Sequence, residues 1–86
     1  MKKIIKFYAT WCGPCKAYSP IFDKVVEKYK DQVQVYNVNV DEDTDGLAAE
    51  HKIRSMPTTV LVKEDGTILK KIGILSEIEL EELIIS

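Results

Sequence analysis

Cysteine, histidine and glycine are scarce in this sequence. Its 86 residues include two cysteines, one histidine and four glycines. Two cysteines are too few for the disulfide framework that holds small secreted domains together. One cysteine pair and a distant histidine also fall short of the four ligands of a structural zinc site, although two chains could share a metal through both pairs. The scarcity directs attention to the reactivity of the two cysteines.

The chain also lacks a strong excess of charge and any long apolar run. Its formal net charge is −2 and its lysines are spread along the chain, which gives no reason to expect nucleic acid as a ligand. No apolar run approaches the roughly 18 residues of a membrane span. Lys6 interrupts the first apolar stretch after Ile4 and Ile5, unlike the core of a secretory signal. We expect a cytoplasmic protein that binds neither nucleic acid nor membrane.

The composition that remains is that of a soluble globular protein, with 45% hydrophobic and 30% charged residues. A chain of this length forms one domain, here residues 1–86, and buries about 60–65% of the surface that it exposes when unfolded. No internal repeat, low-complexity stretch or linker divides the sequence. We therefore expect a single domain with a small core.

The first half of the chain predicts a strand followed by a helix. Lys2 to Tyr8 is short, apolar and aromatic, as strands are. Helical spacing begins at Pro14, which suits the first position of a helix, and Pro20 is expected to kink that helix. The apolar face of the helix comprises Ala17, Ile21, Phe22, Val25, Val26 and Tyr29.

A second strand and a short helix follow. Gln32 to Val40 alternates and is rich in β-branched residues, which is typical of a strand. The acidic run from Asp41 to Asp45 supplies carboxylates that suit the start of a short helix, Leu47 to Lys52. The better buried face of the strand is expected to carry Tyr36, Val38 and Val40.

The second half predicts a hairpin and a last helix. Thr58 to Val62 and Ile68 to Ile72 are strands joined by a turn with an Asp-Gly signal, so they run antiparallel. Ser76 and Glu79 form a capping box at the start of the last helix. The apolar residues of that helix include Ile78, Leu80, Leu83 and Ile84.

The predicted element order is βαβαββα. The first two strands are joined by a helix and should be parallel through a right-handed crossover, whereas the closing hairpin is antiparallel. The fold class is therefore α/β, with a mixed four-stranded sheet flanked by helices.

Cys12 and Cys15 could form a structural staple, part of a metal site or a redox centre. A disulfide between them closes a loop so short that its entropy contributes only about 2 kcal/mol. A redox centre explains the spacing, because Cys12 would lie just before the predicted helix and Cys15 in its first turn. The unpaired N–H groups and the positive end of that helix favour a thiolate. A reversible dithiol is the preferred interpretation.

The stretch Trp11-Cys12-Gly13-Pro14-Cys15-Lys16, together with Met56-Pro57-Thr58 before a later strand, resembles the thioredoxin family. The resemblance extends over nearly the whole chain from Lys2 onward and implies a thioredoxin-like fold. It implies that Cys12 is the nucleophile that attacks a target disulfide and that Cys15 is the resolving thiol. The thiol-disulfide exchange that the resemblance implies requires no bound cofactor and no metal.

The resemblance further implies a surface that docks substrates beside the cysteines. Pro57 would be cis, and the backbone of Met56 would pair with a bound substrate strand. The docking surface would comprise Trp11, Gly13, Pro14, Ile72 and Gly73. Simpler interpretations are a trans Pro57, Trp11 and Ile72 as core or isolated surface residues, and Gly73 as a strand end. His51 is expected to be a solvated or helix-end residue.

Two features depart from the family pattern. Thioredoxins usually begin with an extra strand and helix, whereas this sequence starts at the strand before the cysteines. Lys6 also takes the place of a usual buried aspartate, and Asn37 that of its lysine partner. The stem of Lys6 could cover apolar surface while its ammonium reaches water. Alternatively, a charged Lys6 near Cys15 would favour the thiolate and a more oxidising disulfide, and a neutral Lys6 amine could act as a base.

The sequence thus predicts a monomeric thiol-disulfide oxidoreductase that reduces protein disulfides, with a reductase or glutathione as electron donor. A glutaredoxin-like, glutathione-dependent role fits the size of the chain. The Gly-Pro pair between the cysteines and the lack of an obvious cationic glutathione site argue against that role. From a different class, the chain could be a protein-binding subunit whose redox centre is dispensable.

Overall fold

The computed structural model describes residues 1–86. Its strands are β1 (Lys2–Tyr8), β2 (Val33–Asn39), β3 (Thr58–Val62) and β4 (Ile68–Ile72). Its α-helices are α1 (Gly13–Lys28), α2 (Leu47–Glu50) and α3 (Glu77–Ile85), and a 3₁₀ turn, Val40–Glu42, follows β2. None of the helices has the length and apolar character needed to cross a bilayer. The order of these strands and α-helices along the chain confirms the predicted order βαβαββα.

The four strands form one sheet in the order β2-β1-β3-β4. β1 is parallel to β2 and antiparallel to β3, and β3 is antiparallel to β4. The predicted mixed sheet is therefore confirmed. β1 is an interior strand of this sheet, and its residues Ile4, Ile5, Lys6 and Phe7 are all buried.

The core lies on both faces of the sheet, following the alternation of side chains along β1. Ile4 faces α1 and α3 and belongs to the larger apolar cluster. Ile5 and Phe7 face the other way and pack with Val38 and Val60. On that second face Leu47 and Ala48 of α2 complete the packing. α2 has only four residues, so this face is the less covered one.

The expected burial of Tyr36 in β2 is wrong. Tyr36 is 41% exposed, whereas Val33 and Val38 are buried. β2 is an edge strand, and the short α2 does not reach far enough to cover Tyr36. Strand alternation predicts which side chains share a face, but it does not predict how far the facing helix extends.

The first turn of α1 also differs from the prediction. Cys12 is the N-cap, Gly13 is the first helical residue and Pro14 follows it. Ala17, which was expected on the buried face of the helix, is exposed, whereas Tyr18, which was not expected there, is fully buried. The Tyr18 hydroxyl lies 2.8 Å from Thr59 Oγ1, so its polar end is satisfied within the core.

The local signals of the second half are confirmed. Gly66 adopts φ 92° in the β3–β4 turn, a conformation that glycine adopts without strain. Ser76 and Glu79 form the capping box of α3. In that helix Leu80, Leu83 and Ile84 are buried as expected. Ile78 is 67% exposed because it lies in the first turn, on the side away from the sheet.

We predict that Tyr18→Phe lowers the free energy of unfolding by about 1–2 kcal/mol, because it leaves the buried Thr59 hydroxyl without its partner. Adding Thr59→Val to the Tyr18→Phe chain removes the hydroxyl that has lost its hydrogen-bond partner. The double variant should therefore lose less than the sum of the two single losses. Urea unfolding of the four proteins measures this coupling, and additive losses would contradict it.

Candidate active site

Cys12 and Cys15 lie at the N-terminus of α1 and form a disulfide with their Cα atoms 5.3 Å apart. Cys12 is the N-cap, and its Sγ accepts a hydrogen bond from the backbone N–H of Cys15 at 3.2 Å. Both residues are buried, Cys12 at 7% exposure and Cys15 at 2%. Cys12 is thus the more exposed of the two residues, and the helix end provides a hydrogen-bond donor to its sulfur.

The loop before β3 faces the disulfide. The Met56–Pro57 peptide bond is cis, and the Met56 carbonyl oxygen lies 3.6 Å from Cys12 Sγ. The Gly73 N–H donates to the Pro57 carbonyl at 2.8 Å. These contacts bring Met56, Pro57 and Gly73 together beside the cysteines.

Exposed apolar side chains surround this arrangement. Trp11 is 67% exposed, and its indole N–H donates to Asp41 Oδ2 at 2.8 Å. Ile72 is 69% exposed at the end of β4. Ile74, which the sequence analysis did not single out, is also exposed just after Gly73. Gly13 and Pro14 are exposed at the start of α1, so the site lies in a partly apolar surface.

Lys6 lies beneath the site and does not reach water. It is only 4% exposed, so the interpretation of a solvated ammonium is wrong. Its Nζ donates to Ser19 Oγ at 3.0 Å, and the Ser19 hydroxyl donates to the Cys15 carbonyl at 3.0 Å. Burial lowers the pKa of Lys6, and the charge of Asp23 partly opposes that shift. Sequence reasoning missed Ser19, whose signal was its place one helical turn after Cys15.

His51 lies elsewhere, at the C-cap of α2. Its ring packs 5.8 Å from the ring of Phe7 and its side chain is mostly buried. Its position at a helix end was expected, but its burial was not. No group of three or more histidine, cysteine, aspartate and glutamate side chains is arranged to hold a metal ion.

A cationic groove lies beside the apolar surface. It has a volume of about 270 Å³ and includes Thr58 and Ile72, which are next to Pro57 and Gly73. Its cations are Lys52, Arg54 and Lys70. The Lys70 ammonium is held by the His51 carbonyl at 3.0 Å. Sequence reasoning did not find this groove because its cations come from two separate segments.

Comparison with known proteins agrees with this geometry, because the family model for thioredoxin matches residues 1–86. The chain belongs to the thioredoxin family. It is 40% identical to a thioredoxin of Borreliella burgdorferi over 81 residues, covering 94% of this chain and 68% of that protein. A thioredoxin of Mycoplasmoides gallisepticum is 40% identical over 83 residues, covering 96% and 81%.

Solved thioredoxin structures share the fold. Chloroplastic thioredoxin z superimposes with a TM-score of 0.85 at 31% identity, covering 98% of this chain and 75% of that one. Mitochondrial thioredoxin 3 from Saccharomyces cerevisiae, in its oxidized form, gives 0.81 at 43% identity, covering 96% and 76%. With the Cys12–Cys15 disulfide in place, this family member is a protein-disulfide oxidoreductase.

We predict that Lys6→Met raises the free energy of unfolding at pH 7 by about 1 kcal/mol, because it removes a desolvated ammonium from the core. Burial lowers the pKa of Lys6 below 10.5, its ordinary value. As pH rises through the folded-state pKa of Lys6 toward 10.5, the buried amine becomes neutral. The wild-type chain then no longer bears the free-energy cost of burying a charge. The advantage of the variant should shrink over the same range.

Urea unfolding between pH 7 and 10 measures this difference. Lys3→Met, which removes an exposed charge from the same strand, is the matched control and should show no such trend. A Lys6→Met chain that is less stable than wild type at pH 7 would refute the prediction.

Proposed function

We propose that this thioredoxin-family chain reduces disulfides in protein substrates through a dithiol cycle of Cys12 and Cys15. The observation that supports it most directly is the environment of Cys12 Sγ. This sulfur accepts the Cys15 N–H at 3.2 Å and lies 3.6 Å from the Met56 carbonyl, at the border of an exposed apolar surface. A helix N-terminus stabilises a thiolate there.

The reaction begins from the reduced dithiol. The Cys12 thiolate attacks one sulfur of the substrate disulfide, and the other substrate sulfur leaves as a thiolate that takes a proton from water. The Cys15 thiol then loses its proton and attacks Cys12 Sγ, which breaks the mixed disulfide. The substrate leaves as a dithiol that has gained two electrons. The chain has lost the same two electrons and now contains the Cys12–Cys15 disulfide.

The surrounding residues would dock the substrate. Trp11 and Ile72 would cover the apolar side chains of a substrate segment, while Gly13, Pro14 and Gly73 leave room for its backbone. The backbone of Met56 would pair with that segment, and Pro57 would hold Met56 against the cysteines. Support comes from the placement of Met56 beside Cys12 and from the bond between Gly73 and Pro57.

The cycle requires no bound cofactor, because the sulfur pair itself stores the electrons. An NADPH-dependent reductase would supply them, so the chain would carry electrons and maintain redox homeostasis. We propose that it does so as a monomer in the cytoplasm, where thiols are kept reduced.

The cationic groove favours a second candidate, in which glutathione is the electron donor. Glutathione carries two carboxylates, and Lys52, Arg54 and Lys70 line a groove that includes Thr58 and Ile72, the chain neighbours of Pro57 and Gly73. Cationic side chains bind carboxylates by charge-assisted hydrogen bonds. The groove supplies the cations that the sequence did not reveal.

We predict that Cys12→Ser abolishes insulin reduction with dithiothreitol as donor, because no nucleophile remains. Reduced Cys15→Ser, mixed with insulin in the absence of dithiothreitol, should instead accumulate a mixed disulfide between Cys12 and the substrate, visible as a gel shift that added dithiothreitol reverses. A Cys15→Ser chain that traps no protein would count against the proposal. If cells carrying the Cys12→Ser, Cys15→Ser chain retain full function, the chain acts as a protein-binding subunit.

We predict further that, if glutathione is the donor, Arg54→Ala slows reduction of the oxidised chain by glutathione by about ten-fold, the effect of losing one charge-assisted bond. Reduction by dithiothreitol, which carries no carboxylate, should not change. Lys24→Ala, on the outer side of α1, is the matched control. Equal rates with glutathione for wild type and Arg54→Ala would exclude this groove as the donor site.

A further inference from the structure

Lys6 is the only charged residue among the buried residues of the chain. It makes no ion pair, and its one hydrogen bond goes to Ser19 Oγ. Two aromatic rings face its ammonium, that of Phe22 at 4.9 Å and that of Tyr8 at 5.5 Å. Aromatic faces stabilise a cation but not a neutral amine. The two rings therefore offset part of the cost of burying the charge, although burial still lowers the pKa of Lys6.

The groups around this ammonium contain few competing charges. On α1 it meets Ser19 and Phe22, and the carboxylate of Asp23 acts from the helix surface. In the sheet Lys6 lies opposite Asn37 of β2 and Thr59 of β3, which are neutral. Apart from Asp23, no charged group among these neighbours cancels the field of the ammonium.

Ser19 connects this ammonium to the resolving cysteine. Its hydroxyl accepts from Lys6 Nζ and donates to the Cys15 carbonyl, each at 3.0 Å. Lys6 is thus held under the turn of α1 that carries Cys15. Around Cys15, which is 2% exposed, water screens charges poorly, so a nearby cation acts more strongly than it would at the surface.

We propose that Lys6 is a positioning residue for the resolving step: its ammonium, held by Ser19, stabilises the Cys15 thiolate and so shortens the life of the mixed disulfide. The inference rests on the dithiol cycle proposed above. Cys15 gives its proton to water and attacks Cys12 Sγ, and the departing substrate thiolate takes a proton from water. Lys6 keeps its own proton throughout, so it acts by charge and not as a base.

The expected size of the effect follows from thiol chemistry. A neighbouring opposite charge shifts an acid by about 1–3 pK units, so loss of the ammonium should lower the fraction of Cys15 thiolate at pH 7 about ten-fold. The more basic thiolate is about three-fold more nucleophilic, since nucleophilicity rises with roughly half of the change in basicity. The net result is a resolving step slowed about three-fold.

A single turnover with dithiobis(nitrobenzoate) separates the two steps. The reduced chain releases one thionitrobenzoate when Cys12 attacks the reagent and a second when Cys15 resolves the mixed disulfide. In Lys6→Met we expect the second release to slow about three-fold at pH 7 and the first to keep its rate. Lys6→Gln retains a partner for Ser19 but lacks the charge, and it should slow the second release equally.

Lys3→Met removes a charge from the same strand without touching α1, and both of its releases should keep the wild-type rates. A second release that is unchanged in Lys6→Met and Lys6→Gln would overturn the proposal. Equal slowing of both releases would also overturn it, because that result indicates a general disturbance of the site.

The fraction of Cys15 thiolate is measured independently in a Cys12→Ser chain. Its ultraviolet thiolate absorbance at pH 7 should fall about ten-fold when Lys6→Met is added, and an unchanged absorbance would overturn the proposal. These measurements use a small reagent and absorbance only. A result that contradicts the role of Lys6 is therefore distinct from a result that contradicts the reduction of protein substrates.

Discussion

The site depends on the register of three neighbouring strands. Phe7 near the end of β1 lies opposite Thr58 at the start of β3, and Thr58 lies opposite Ile72 at the end of β4. The loop after β1, the loop before β3 and the turn after β4 therefore meet at one end of the sheet. This register brings Cys12, Pro57 and Gly73 together, although they lie far apart along the chain.

The sequence predicted the elements that local chemistry determines. The bounds of β1, β3 and β4 were correct, as was the Ser76–Glu79 capping box, because strand alternation and capping residues act over a few positions. The two cysteines of the family motif form a disulfide in the structure. Properties that depend on distant partners were missed. Tyr36 is exposed because α2 is short, and the cationic groove combines two segments.

For Lys6, the sequence revealed an unusual residue at its position but not the surroundings of its side chain. The sequence marked its position as unusual and left two interpretations open. The structure excludes the solvated ammonium, because Lys6 is buried against Ser19 and two aromatic rings that it meets only in the folded chain. A buried ammonium costs stability, whereas an apolar side chain of similar length would not. Such a cost is understandable where the charge acts on the reaction, as strain and desolvation often do at functional sites.

The fold must persist in both redox states if the chain is to cycle. The Cys12–Cys15 link closes so short a loop that it contributes only about 2 kcal/mol. The two larger apolar clusters contain neither cysteine, and the cysteines pack in a separate small cluster with Ala9. Opening the disulfide therefore leaves the main core intact. Because the core does not depend on this bond, its potential can be set by local groups such as the α1 N-terminus and Lys6.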